Sequence, residues 1–307
     1  MFSHRVSQPV SGPEAQESST SMGMILLALI LQQTLGAFTF PVARFGLEFI
    51  EPFTFAFFRF VMASSVLLLV VKFKKYRIPV EKKDYRKIIG LGLVIIPFNQ
   101  AMYLVGQSLT GAGHGSLLFA TVPIWILLLA LFHLREKPSL RRTIGIVVGM
   151  IGVGVVVVSG AVEISTEYLW GDLIILVAVI AWAYYAILGK PLVRKYGALR
   201  VTAYALASGS AMYLPIGLFA VSRFEFAGVP ASAWWSIVYV SLGVSVVAYV
   251  LWYWVLKYME ASRVAVFHNM QPLIAAGVAH VWLDEPLGLS FLVGGAIALG
   301  GVIVAEL

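Results

Sequence analysis

His268, Asn269 and Gln271 stand together immediately before Pro272, inside a long apolar run. An imidazole and two amides in hydrocarbon are costly unless they meet a partner or a wet cavity. Their chemistry is reversible recognition: hydrogen bonds given and accepted, and a proton that moves near neutral pH. His268 and Gln271 are three apart and share a helix face. Pro272 leaves the carbonyl at His268 without its helical donor and weakens the helix there. Two readings stay open for the cluster: a cavity-facing role, or bridging between helices at about 0.6 kcal/mol per contact.

Arg59 is the one basic residue well inside an apolar stretch. It offers a forked guanidinium to a substrate carboxylate, or a structural tie to nearby carbonyls. Asn99 and Gln100 follow Pro97, and Gln32 and Gln33 sit in the first apolar stretch. Neighbouring helical residues point about 100° apart, so at most one of each pair faces a pathway. Tyr184, Tyr185, Trp252, Tyr253 and Trp254 could wall a cavity for an amphipathic solute. Trp170, Trp234 and Trp235, near segment starts, fit the aromatic belt of a membrane interface. His280 fits helix bridging, and His114 fits a solvated loop or the outer start of a span. The substrate-binding candidates are therefore His268, Gln271, Asn269, Gln32, Asn99, Gln100, Tyr184, Tyr185, Trp252 and Arg59. Pro97, Pro123 and Pro272 are the hinge or gating candidates.

Other chemistries lack their residues. The chain has no cysteine, which removes disulfides, thiolate metal sites and cysteine nucleophiles. His268 and His280 are about three helical turns apart and cannot chelate one metal. There is no His-Glu-x-x-His sequence and no phosphate-binding Gly-Lys-Ser/Thr loop, so neither a metal, a cofactor nor ATP is expected. All 15 acidic residues fall in tails, loops or span ends. A carrier that uses an intramembrane carboxylate as proton relay is thereby disfavoured. Movement down a gradient, by efflux or exchange, is the economical expectation, with a His268-mediated proton antiport second.

These residues need elements to hold them at depth. The 307-residue chain is 60% hydrophobic and 12% charged, with mean hydropathy +0.90. A soluble domain carries about twice that charged fraction, so the composition is that of an integral membrane protein. A span needs about 20 mostly apolar residues, which gives ten: 22–43, 52–73, 86–107, 112–134, 142–160, 170–190, 199–221, 232–256, 262–283 and 287–305. Residues 1–21 read as a disordered, polar N-terminal tail with no cleaved signal. With ten spans, all of the 22 Lys and Arg except Arg44, Arg59 and Arg223 fall on one side. The positive-inside rule makes that side cytoplasmic and puts both termini there. It also accounts for the net charge of +7 without nucleic acid.

The chain repeats itself at an offset of 149. Ala112, Pro123, Ala130, Leu134, Glu136, Leu140, Gly145, Gly152, Val153 and Val155 recur as Ala261, Pro272, Ala279, Leu283, Glu285, Leu289, Gly294, Gly301, Val302 and Val304. Ten spans split five and five, so the second copy lies inverted relative to the first, as in secondary transporters. Gly145, Gly149 and Gly152, with Gly294, Gly295, Gly300 and Gly301, allow close helix approach. They make spans 5 and 10 packing elements and a candidate homodimer face.

The doubled unit resembles the EamA-type members of the drug/metabolite transporter superfamily. The likeness rests on the small-residue start, mid-span proline, Leu-x-Glu and glycine-rich span of each copy. It rests also on Gly36–Arg44 in span 1 and Arg59-Phe60 in span 2, and covers about residues 22–305. It implies an all-α integral membrane fold of ten transmembrane helices in two inverted five-helix repeats, 22–160 and 161–307. It implies a secondary transporter in a bacterial or archaeal inner membrane, exporting small metabolites such as amino acids or related amphipathic solutes. Sugar-phosphate and nucleotide-sugar exchangers are relatives of that family, but a single intramembrane Arg is sparse for phosphate. A non-transporting receptor or scaffold is the other alternative, and a fully packed centre would favour it. An intramembrane enzyme would need a paired set of reactive groups at depth, which the sequence does not offer.

Overall fold

The computed structural model describes residues 21–76, 78–110, 115, 118–136, 139–159, 168–271, 273–274, 277–278 and 289–306. Those residues form helices joined by short turns. Long helices α1 (Met22–Leu47), α2 (Pro52–Phe73) and α3 (Lys82–Leu109) are followed by the shorter α4 (Val122–Leu134) and by α5 (Leu140–Ser159). Then come α6 (Leu169–Tyr196), α7 (Ala198–Arg223) and α8 (Ala231–Tyr258). A short α9 (Ala261–Ala265) tightens into a 3-10 turn over Val266–Asn269, and α10 is Leu289–Glu306.

Six of these, α1, α2, α3, α6, α7 and α8, are long and apolar enough to cross a membrane. The sequence-derived spans 112–134, 142–160, 262–283 and 287–305 run partly into residues outside those described. Observed helices overrun the expected spans by several residues, as α3 and α6 do. Backbone hydrogen bonding continues past the hydrocarbon limit, whereas hydropathy does not. Leu27, Leu69, Ile216, Leu218 and Ile303 are all more than half exposed on the outside of the bundle. So much bare apolar surface belongs in lipid.

The ends are set by local signals. Ser21 accepts from the Met24 amide, and Glu51 Oε2 accepts from the Thr54 amide at 2.7 Å ahead of Pro52. Gly197, at φ +85°, turns the chain between α6 and α7. Thr110, after α3, donates to Asp172 at the start of α6 at 2.7 Å, while Asp84 at the start of α3 meets Lys195 and Tyr196 at the end of α6, both at 2.8 Å. These helices are therefore antiparallel. The end holding Asp84, Lys190 and Lys195 is called the basic end below.

Two features repeat across the halves. The middles of α3 and α8 both widen into π-helix, over Val94–Ala101 and Tyr239–Ala248. In α3 the cause is Pro97, which has no N–H to give the ladder; α8 has no such proline. Helices α5 and α10 pack backbone to backbone. A Cβ on Gly145 would lie 2.6 Å from the Gly301 carbonyl, and one on Gly152 would lie 2.5 Å from the Gly294 carbonyl. Exchanging positions by the 149 offset turns the first contact into the second. It likewise turns Gly149–Gly301 into Ala298–Gly152, which is also made. Of the glycines singled out in the sequence, Gly145, Gly149, Gly152, Gly294 and Gly301 are used in packing within one chain, Gly300 is not, and a homodimer face stays an expectation of the sequence.

Candidate functional site

At the centre lies a cavity of about 60 Å³, space for a few waters. Its polar wall is Gln32 from α1, Arg59 from α2, Gln100 and Tyr103 from α3, Tyr249 from α8, His268 at the end of α9 and Gln271 just beyond it. Gly36 and Trp182 complete much of the rest. The bare backbone of Gly36 seats the Gln271 amide, since a Cβ there would lie 2.7 Å from Nε2. Held there, Gln271 donates to Gln33 Oε1 at 2.8 Å. Gly36→Ala is expected to push the amide aside and break that bond. The cost is about 0.6 kcal/mol in melting measurements, with a much larger change in solute flux.

Two groups of aromatic rings flank the cavity. Away from the basic end, Phe40, Tyr103 and Phe119 meet edge to face, with centroids 5.3–6.3 Å apart. Toward the basic end the layer is thicker. Trp182 lies against Trp252 at 5.7 Å and Tyr185 against Tyr253 at 4.6 Å, with Trp252 edge-on to His268 at 4.8 Å. Gly189 makes room for Tyr253, whose hydroxyl donates to the Tyr185 carbonyl at 2.7 Å.

Beyond this layer is an ionic tie. Arg135, in the left-handed region at φ 54°, turns the chain as α4 ends. Glu136 then accepts from Lys190 Nζ at 2.6 Å and from the Ala261 and Ser262 amides at 3.2 and 3.4 Å. A carboxylate at those amides also caps the positive end of α9. Arg142 of α5 pairs with Glu260 beside it. Burial pushes the Glu136 carboxyl up, but the Lys190 ammonium and the two amides outweigh that and hold it below its ordinary range. The anion is therefore the stable form.

A profile of the EamA-like transporter family matches residues 22–158 and again residues 169–306. The chain belongs to the EamA-like transporter family. Among relatives, it is 29% identical to an uncharacterized transporter of Archaeoglobus fulgidus, over 91% of this chain and 95% of that one. It is 27% identical to the uncharacterized transporter YyaM of Bacillus subtilis, over 87% and 88%. A probable terminal-alkyne amino-acid exporter of Streptantibioticus cattleyicolor is 31% identical, over 90% and 91%. A protein known from its crystal structure superposes with a TM-score of 0.75 at 19% identity, covering 93% of this chain and 97% of its own. At that identity it speaks for the fold alone.

In this EamA-family chain the structure brings Gln32, Arg59, Gln100, His268 and Gln271 to one cavity. Asn99 is turned away, donating to the Ala178 carbonyl at 2.7 Å and so bridging α3 to α6. Asn269 is fully buried against Gly149, whose missing side chain makes its space. Tyr185 and Trp252 are fully buried in the aromatic layer toward the basic end. Tyr184 does not face the cavity. It is 36% exposed, with its ring beside His133. Pro97 sits in the π-helix of α3 and Pro123 in the first turn of α4. Pro272, His114 and His280 lie outside the described residues. Sequence reasoning did not single out Gly36, Tyr103 or Tyr249 for the cavity. It read Glu136 as a repeat marker and Lys190 as a loop cation, although Leu-x-Glu closing an apolar span was a signal for the tie.

Proposed function

We propose that this EamA-family protein is a secondary transporter that exports small metabolites, amino acids or related amphipathic solutes, by alternating access through the central cavity. The observation that carries the proposal is that three side chains lining the cavity each keep a buried polar atom that the protein leaves unpartnered. Gln32 Oε1, Arg59 Nη1 and Trp182 Nε1 have no hydrogen-bond partner. Such groups cost about 1–3 kcal/mol each when buried unmet, so they are arranged for water or a solute. A centre packed throughout would instead have favoured a receptor or scaffold.

The ten helices form two inverted five-helix repeats related by a pseudo-twofold axis in the membrane plane. Support comes from the exchange symmetry of the α5–α10 contacts and from the π-helix shared by α3 and α8. The basic end faces the cytoplasm, with both termini there. The aromatic layers act as the gates, and a solute enters when one of them parts. Opening on the outside separates Phe40, Tyr103 and Phe119; opening on the inside breaks the Glu136 tie. Among the described lining residues none is acidic, which supports movement down a gradient rather than carboxylate-relayed proton coupling. The named exporter among its relatives supports outward movement of an amino-acid-like solute.

The full chain in proteoliposomes, loaded with a radiolabelled amino-acid panel, is expected to release label faster than empty vesicles. His268→Ala and Gln271→Ala should change the flux several-fold while yield and melting temperature stay near wild type. Normal flux in both variants would remove this cavity as the pathway.

A further inference from the structure

Arg59 is 1% exposed and lies at membrane depth. Arg59 lines the central cavity, and its Nε donates to Ser245 Oγ at 3.0 Å, while Nη1 is buried with no hydrogen-bond partner. Its other polar neighbours are the phenols Tyr103 and Tyr249, of which Tyr249 hydrogen-bonds the guanidinium, and among the described residues its electrostatic partners include no carboxylate. A guanidinium so placed is expensive unless an anion joins it, and its fork suits a carboxylate. Gln32 Oε1 is the unpartnered acceptor of the same wall, and the rings of Trp182 and Tyr249 lie beside them.

Resting on the transporter reading above, we infer that the solutes are organic monocarboxylates, recognised by Arg59 through the carboxylate, and that an amino group is not required. One cation matches one negative charge, which sets monoanions above phosphates. With no acidic side chain among the described lining, an amine gains no ion pair. At about 60 Å³ the cavity takes a carboxylate head, so the body of the solute parts an aromatic layer and packs on rings.

The test uses the full chain in nanodiscs and the quenching of its tryptophan fluorescence, with 3-phenylpropionate, L-phenylalanine and L-phenylalaninamide as probes. The two acids are expected to bind within a few-fold of each other. The amide should bind about tenfold or more weakly, as loss of a charge-assisted hydrogen bond implies. Arg59→Gln should weaken both acids about tenfold without touching the amide, and Arg59→Lys should recover part of the loss. The wild-type series stands even if a variant fails to fold. The inference is overturned if the amide binds as well as the acids, if neither acid binds, or if chloride competes as effectively as 3-phenylpropionate. Acids that bind through Arg59 but are never moved by proteoliposomes would leave the site standing and sink the transporter reading instead.

Discussion

Gly152→Val is expected to abolish the stable packing of α5 on α10, while Gly154→Val leaves the protein as it was. A Cβ on Gly152 would stand 2.3 Å from the Ala298 amide nitrogen and 2.5 Å from the Gly294 carbonyl oxygen. Both are backbone atoms, so no rotamer change relieves the clash and the helices must separate. Overpacking costs about 1–3 kcal/mol when side chains can yield; here they cannot, and the loss lies at or above that range. Gly301 is the repeat equivalent, with the Gly149 nitrogen at 2.5 Å and the Gly145 carbonyl at 2.6 Å. Gly301→Val should therefore match Gly152→Val in its effect on melting temperature and detergent-extracted yield. A Cβ on Gly154 or on Gly300 would meet nothing within 4 Å, so these two positions serve as silent controls. A large effect at one of the equivalent pair and none at the other would break the proposed internal symmetry.

Glu136→Gln is the second large expectation. The side chains of Lys190 and Glu136 are only 3% and 10% exposed, and glutamine leaves the ammonium buried with only Glu260, already paired with Arg142, as counter-charge. Removing one partner of such a pair costs about 3–5 kcal/mol. Lys190→Met added to Glu136→Gln should restore much of the stability, and the double-mutant cycle measures the coupling. The single variant should also open the basic end more readily, seen as faster labelling of a cysteine introduced at Tyr253. The folded Glu136 carboxyl is held below its ordinary value of 4.5. Its contribution is therefore full above that value and fades as pH falls through the lower folded one. In Glu136→Gln this acid-side loss of stability should be absent.

The order and rough position of the six long helices were legible, because about 20 apolar residues between basic loops leave little freedom. Which face each residue takes was less so. Tyr184 and Tyr185 are adjacent and alike, and only packing against Tyr253 and Trp182 decides that Tyr185 turns in and Tyr184 out. Asn99 and Gln100 were likewise separable only by the presence of the Ala178 carbonyl. The aromatic group of Phe40, Tyr103 and Phe119 joins α1, α3 and the turn ahead of α4, and no spacing announces it. The Glu136–Lys190 pair spans 54 residues, and each partner alone reads as a loop charge. Glycines hid their role most fully. Gly36 and Gly189 matter for the side chains they admit from elsewhere, Gln271 and Tyr253.

A chain without cysteine accepts single reporters with no background. The decisive use is Gln271→Cys in oriented proteoliposomes, challenged with a membrane-impermeant thiol reagent from either face. The account requires this one buried position to react from both sides, with carried solute shifting the balance between them. Reaction from neither side, or from one alone whatever solute is present, would mean that the chamber never changes the compartment it opens to.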